Sequence, residues 1–442
     1  MKALDRIKNG IRPGPLWAIL LFALLLKAAV LFTGASELLG EGGAVYQVNR
    51  FPDGYDRIAM SLITGHGYRF SADTAPTIFR TPGFVLVLAT LFAMFGKSLL
   101  AVKTFHFLLS SVTAYLVYLL GLRVGAARSV GVIAALIYFL HPGTMIADSR
   151  GGVETVLTFT IMAFMLLVYR ALKSDRLWDY ALAGLVFGAL FLVKSSAALF
   201  PGLLFLYLVG RRLSVAGLVT GGARVAVLCG TAMLVVTPWV VRNYLLVGQF
   251  IPTMTLQGAT VFQGVYVVKG RASGKEHYEL LEEAVVEQDR IAQEMGLRYK
   301  PEFFPAFYTT EDEVRYYAHL GEIGMQEYRH APRLLAEAVA YNGYAFWFQG
   351  RTARATALNV VVTAPFLLLA VAGLVIGWRR GLELAPLVLF GLAFYVAHLP
   401  IIAVARYHVP LIPLLAVPIG VAAMALTDVT RAIKKSGGGG RT

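Results

Sequence analysis

A single cysteine, Cys229, lies inside an apolar run of this 442-residue chain. No disulfide can close within the chain, and no cysteine-built metal site is available. Charge is scarce: 15% of the residues are charged, against about 25% in an ordinary soluble domain. The eight histidines are scattered, and none falls in the His-Glu-x-x-His spacing of a zinc hydrolase. The Walker A loop and the Rossmann glycine pattern are both missing, which argues against a soluble nucleotide as donor. Alternating strand patterns of the membrane-barrel type are absent. No internal repeat is visible, which weighs against a transporter built from two related halves.

Apolar residues dominate instead, at 57%, and many of their runs approach the roughly 20 residues needed to cross a bilayer. The fold class expected is an all-α polytopic membrane protein with about ten or more transmembrane helices. Spans are expected near 15–34, 99–122, 127–146, 153–170, 179–193, 196–210, 224–241, 357–378, 383–399 and 408–427. The pair 179–193 and 196–210 is short and reads as a hairpin. The start, MKALDRIKNGIRPGPLW, is basic and leads into an apolar stretch without a small-residue cleavage site. It reads as an uncleaved signal anchor.

The net charge of +14 follows the positive-inside rule. With the N-terminus inside, inner loops carry Arg123 and Arg128, Arg170, Lys173 and Arg176, Arg211 and Arg212, and Arg379 and Arg380. Outer turns hold little more than Arg150, Lys194 and Arg406. Both termini are therefore expected in the cytoplasm, with the chain in the cytoplasmic (inner) membrane. The basic residues form no separate domain, so nucleic acid is not an expected partner.

Two outer regions are long. The first, 35–98, contains Asp53–Thr64, where Tyr55, Ile58, Ala59 and Leu62 repeat at helical spacing. That segment is too short to span and reads as an interfacial helix. Gly83–Phe95 is apolar but also short. The second, 243–356, shows helical patterns at Tyr278–Met295 and Glu311–His330, then a third from Pro332 through Asn342. It ends among Tyr341, Tyr344, Phe346, Trp347 and Phe348, aromatic types that favour the headgroup level. The expected division is a transmembrane catalytic module at 1–242, an extracytoplasmic subdomain at 243–356, C-terminal transmembrane helices at 357–427 and a flexible cytoplasmic tail at 428–442.

Ionisable groups at a membrane face are costly unless paired or solvated, so each is a site candidate. Asp53 and Asp56 open the interfacial helix. They read as helix caps or as a general base. Arg57 stands beside them to pair with an acid or a phosphate. Arg80 lies just before an apolar helix, a setting that suits a phosphate. Glu154 heads the fourth long span and reads as a dipole-favoured acid or a second catalytic acid. Asp148 is a weaker candidate for the same part, and His141 reads as a satisfied interfacial histidine. Lys194, between two short segments, either snorkels or supplies a charge at depth. Arg242 and Arg406 either cap helix ends or complete a phosphate-binding ring. Tyr55 and Tyr407 stand beside these charges.

These pieces occur in order as Tyr55-x-x-x-Ala59-x-x-Leu62-x-x-Gly65-x-Gly67-Tyr68, Arg80-x-Pro82-Gly83-Phe84, His141-Pro142 with Glu154, Lys194-Ser195-Ser196, Pro238-Trp239-x-x-Arg242-Asn243-Tyr244 and Arg406-Tyr407-x-x-Pro410. Together they resemble the GT-C superfamily of integral membrane glycosyltransferases. In particular they resemble the bacterial family related to lipopolysaccharide-core galacturonosyl transferases, the aminoarabinose transferase and protein O-mannosyltransferases. The resemblance implies interfacial helices in the first outer loop, a polyprenyl-phosphate sugar as donor and transfer on the outer face. It carries the base role to Asp53 or Asp56, donor-phosphate binding to Arg80 and the second acid to Glu154. Phe51 occupies the position, four before the matching tyrosine, where many relatives have the acid. The acceptor class it implies is a glycolipid, a polysaccharide or a protein. No ligand cluster in the sequence requires a metal or other cofactor, although some relatives use a divalent ion. The competing reading is a transporter or flippase of a lipid-linked sugar.

Overall fold

The computed structural model describes residues 13–33, 52–300 and 305–437. Residues 35–51 of the expected first outer loop, Phe51 among them, lie outside the described residues. Proline writes many of the helix starts. Helices α1 (Pro13–Phe32), α2 (Tyr55–Ile63) and α3 (Pro82–Phe95) come first. They are followed by α4 (Leu99–Arg123), α5 (Arg128–Leu140), α6 (Pro142–Arg150) and α7 (Glu154–Ser174). Next are α8 (Leu177–Val193), α9 (Phe200–Gly210) and α10 (Val215–Val247). Pro82, Pro142 and Pro201 sit in the first turns of α3, α6 and α9, where the missing N–H is no loss and φ is preset.

The segment expected to span at 127–146 is not one helix. It breaks at His141–Pro142 with a 50° bend between α5 and α6. His141 is forced into extended backbone, φ −64° and ψ 129°, because proline disfavours a helical residue before it. The expected span at 224–241 is longer than its apolar pattern, since α10 covers Val215–Val247 and ends at Gly248, φ +66°. Hairpin α8–α9 turns at Lys194.

A helical subdomain follows: α11 (Gln257–Gly270), α12 (His277–Glu294), α13 (Thr310–His330) and α14 (Pro332–Phe348). Glu276 and Glu279 form a capping box on α12, and Thr309 caps α13 by accepting from Asp312 N at 3.2 Å. A two-residue hairpin, Tyr299–Lys300 with Ala306–Phe307, joins α12 to α13. The chain then returns through α15 (Ala353–Arg379) and α16 (Ala385–Val396), a 3-10 turn at Ala405–Leu411, and α17 (Ile412–Gly437). Helix α17 thus continues past 427, where a flexible tail was expected.

By length and composition, five described helices can cross a membrane, or six if the bent α5–α6 pair counts as one span. The shorter apolar helices Ile19–Phe32, α3, α8, Ser195–Gly210 and α16 complete the apolar bundle. Small residues let its backbones meet. A Cβ on Gly184 of α8 would come within 2.2 Å of Leu228 O on α10, and one on Gly373 of α15 within 1.8 Å of Pro418 O on α17.

The bundle has two unlike ends. At one, the basic turns pair with nearby acids: Arg170 with Asp179 at 2.8 Å, Arg224 with Asp175 at 2.6 Å and Arg211 with Glu383 at 3.1 Å. Helices α7 and α8 run between this end and the other, where Glu154 and Lys194 lie.

Candidate active site

Segment 52–81 positions the first groups. Pro52–Gly54 is a 3-10 turn with Asp53 at φ +69°, followed by Gly54 at φ +73°. A left-handed conformation is uncommon outside glycine, and strain of this kind persists only where surrounding contacts hold it. Here they do: the Asp53 carbonyl accepts from Arg80 Nε at 3.2 Å and Nη2 at 3.0 Å. The Asp53 carboxylate accepts from both terminal nitrogens of Arg406, each at 3.1 Å, and Arg80 Nη2 stands 3.9 Å from it. Burial pushes the Asp53 carboxyl up, but Arg406 and Arg80 outweigh it and hold the group below the ordinary carboxylate range.

Arg80 is placed by its neighbours. Thr81 Oγ1 donates to Val193 O at 3.2 Å. The next turn docks Gly83 so closely that a Cβ would meet the Leu192 backbone at 2.8 Å. This sets Arg80 beside the α8–α9 turn that carries Lys194. The Arg80 guanidinium lies 4.8 Å over the ring of Tyr55 and 4.8 Å over that of Phe79. The ammonium of Lys194 sits 4.1 Å over the ring of Tyr407 and within electrostatic reach of Glu154, Arg406, Asp53 and Arg80. Glu154, the first residue of α7, faces Arg406 Nε at 4.0 Å.

Four chain segments therefore bring Asp53, Arg80, Glu154, Lys194 and Arg406 to one end of the bundle, with Tyr55 and Tyr407 as ring platforms. His398, not singled out from the sequence, joins them: its ring lies 5.2 Å from that of Tyr407, and its Nε2 is 3.3 Å from Ser196 Oγ.

Other candidates go elsewhere. Asp53 and Asp56 make no side-chain cap on α2, whose N-cap is Gly54. Asp56 instead pairs with Lys97 at 2.6 Å, a lone cation in the turn between α3 and α4. Arg57 lies 5.7 Å over the ring of Phe70. Arg242 donates to Thr77 O at 2.9 Å and Tyr68 O at 3.4 Å, and stacks 4.7 Å over Trp239. These contacts fasten segment 68–77. His141 accepts from Gly143 N at 3.1 Å and so caps α6. Asp148 faces the apolar interior, 2.7 Å from Lys27 of α1, and accepts from Thr155 at 2.6 Å. Lys27 also donates to Ser110 at 2.6 Å. A lone lysine in an apolar run was the only sequence signal of that pair.

Residues 79–242 match the family described as dolichyl-phosphate-mannose-protein mannosyltransferase. The fold is similar to that of the apo oligosaccharyltransferase from Archaeoglobus fulgidus, at a TM-score of 0.53 and 15% identity over 97% of this chain. The chain spans about half the length of that protein, 52%. A more distant likeness is to ArnT from Cupriavidus metallidurans bound to undecaprenyl phosphate, at a TM-score of 0.40, 12% identity, 90% of this chain and 77% of that one. No curated protein matches the sequence. The family match and the fold bear out the resemblance to GT-C glycosyltransferases and the almost wholly helical membrane architecture.

Proposed function

We propose that this chain is a membrane glycosyltransferase that moves a hexosyl or pentosyl group from a polyprenyl-phosphate donor to an acceptor outside the cytoplasmic membrane. The observation that carries the reading is the meeting of Asp53, Arg80, Glu154, Lys194 and Arg406 at the end of the bundle opposite the paired basic turns. By the positive-inside rule the basic turns are cytoplasmic, and the site is then extracytoplasmic. Three cations stand against two carboxylates, leaving one positive charge in excess. A polyprenyl-phosphate sugar is a phosphodiester with one negative charge, and its binding brings the group to neutrality.

Arg80, Lys194 and Arg406 hold the phosphate. As it arrives, it competes with Asp53 for Arg406, and the carboxylate released from its bidentate partner becomes a stronger base. Asp53 takes the proton of an acceptor hydroxyl, and the oxygen attacks the anomeric carbon. The bond from that carbon to the phosphate oxygen breaks, and polyprenyl phosphate leaves with the electron pair. The cations stabilise the charge gained by the leaving group. Glu154 orients Arg406 from the other side and supports positive charge developing on the sugar ring. The aromatic end of α14 and the rest of the α11–α14 subdomain select the acceptor, a glycolipid, polysaccharide or protein.

Titration of the purified chain in detergent with undecaprenyl phosphate tests the phosphate site. Arg80→Ala and Lys194→Ala should each weaken binding at least about tenfold, as expected for loss of one charge-assisted contact. Unchanged affinity in both variants would sink the assignment. Movement of a labelled lipid-linked sugar across vesicles, with no new glycosidic bond, would assign the site to transport instead.

A further inference from the structure

Every residue from Ala75 to Arg80 is fastened from outside its own segment or by the fold behind it. Ala75 N donates to Phe307 O at 3.0 Å, Thr310 Oγ1 donates to Pro76 O at 2.6 Å, and Thr255 N donates to Ile78 O at 3.1 Å. Tyr68 Oη donates to Arg80 O at 2.9 Å. At the centre is Glu313, in the first turn of α13 and 3% exposed. Its carboxylate accepts from Thr77 Oγ1 at 2.5 Å, Ile78 N at 2.9 Å and Thr255 Oγ1 at 3.0 Å. Thr77 Oγ1 in turn accepts from Phe79 N at 3.0 Å, one residue before Arg80. Among the described residues no cation lies at salt-bridge range of Glu313, and an ionised carboxylate buried that way is expensive. Its three donors all lie on segments that set where Arg80 stands or where α11 begins.

We infer that Glu313 is the positioning residue for Arg80, the joint through which the α11–α14 subdomain fixes the donor-phosphate ligand. The inference rests on the reading of Arg80 as a phosphate ligand. The carboxylate accepts all three donors at once; the neutral acid must give one oxygen over to its own proton. Burial raises this carboxyl to about 7, against Thr77, Ile78 and Thr255 and the more distant Arg242 of α10, all of which lower it. Tyr68, from the fastened segment, and Tyr317, on α13 itself, are the other titratable groups near it. Both hydroxyls stay neutral across this range, because burial pushes them up. The clamp therefore tightens as pH rises through neutrality.

Undecaprenyl phosphate in detergent is the probe, measured on the full chain at pH 6 and pH 8, with melting temperature followed in parallel. Glu313→Ala should weaken binding at least about tenfold at pH 8, as for loss of a buried charge-assisted clamp. Glu313→Gln should bind within about threefold of wild type at pH 6, as for a change at a clamp already weakened by protonation. It should lack the additional gain in affinity that wild type shows at pH 8. Titration of the lipid phosphate itself is common to both proteins and cancels in the comparison. If Glu313→Ala does not fold, the glutamine variant carries the test alone. A pH profile parallel to wild type, even with a lowered melting temperature, would reduce Glu313 to a structural group and overturn the inference. If Arg80→Ala binds as wild type does, the phosphate assignment itself fails, whatever the Glu313 variants show.

Discussion

Asp53→Asn keeps the shape of the side chain and removes one negative charge 3.1 Å from each terminal nitrogen of Arg406. Asparagine tolerates the left-handed backbone at φ +69°. The residue-53 carbonyl that receives Arg80 is untouched, so the site keeps its frame. Two unit charges about 5 Å apart at an effective dielectric of roughly 20 repel by about 3 kcal/mol. Solvent at the partly open site reduces this, leaving about 1–2 kcal/mol of relieved repulsion between residue 53 and a bound phosphate. Undecaprenyl phosphate should therefore bind about 5- to 30-fold more tightly to the variant. Transfer should fall by about 10²- to 10⁴-fold, the usual contribution of a general base. Calorimetric titration gives the first number, and sugar transfer at saturating donor gives the second. Transfer within threefold of wild type would remove Asp53 from the chemistry. Loss of binding would show that its charge holds the site together rather than opposing the phosphate.

Two other perturbations probe the frame. Lys27→Leu should destabilise the protein by about 3–5 kcal/mol by leaving Asp148 buried and unpaired, and Lys27→Leu with Asp148→Leu should recover most of that, both read from melting in detergent. A double variant no more stable than the single one would refute the pair as an isolated unit. Glu313 gives a pH-dependent stability. Its folded-state value near 7 lies above the ordinary 4.5, so its stabilising contribution is complete below pH 4.5 and is lost as pH rises through 7. That loss is about 3 kcal/mol. Melting temperature should fall by several degrees between pH 5 and pH 8 in wild type, and by distinctly less in Glu313→Gln; equal slopes would contradict the burial argument.

Much of the architecture was legible because it is written in local signals. Pro332 and the helical spacing beyond it gave the start of α14, and the patterns at 278–295 and 311–330 coincide with α12 and α13 to within a residue or two. The bend at His141–Pro142 was visible as a dipeptide but was read as the end of a span. In the structure it introduces a further helix, α6. The cluster was legible only as charged residue types expected at one membrane face, and of those expected the structure brings together Asp53, Arg80, Glu154, Lys194 and Arg406. It was not legible as partners, because Asp53 and Arg406 are 353 positions apart. Asp56 and Arg242 have the same chemistry as the residues that meet, and only tertiary packing turns them to Lys97 and Thr77. Glu313 lay unnoticed among the many acids of an amphipathic helix. Its burial depends on a segment 235 positions earlier in the chain.

The central claim is that the Asp53 group breaks a sugar–phosphate bond. Its most direct measurement is transfer by the purified chain from undecaprenyl-phosphate sugars to extracted envelope glycolipids, polysaccharide and protein, followed by mass spectrometry. The account predicts a new glycosylated product and free undecaprenyl phosphate in equal amounts with wild type, and, at subsaturating donor, both reduced at least about tenfold with Arg80→Ala and about 10²- to 10⁴-fold with Asp53→Asn. Equal product from wild type and both variants would contradict it, as would intact donor across the whole panel.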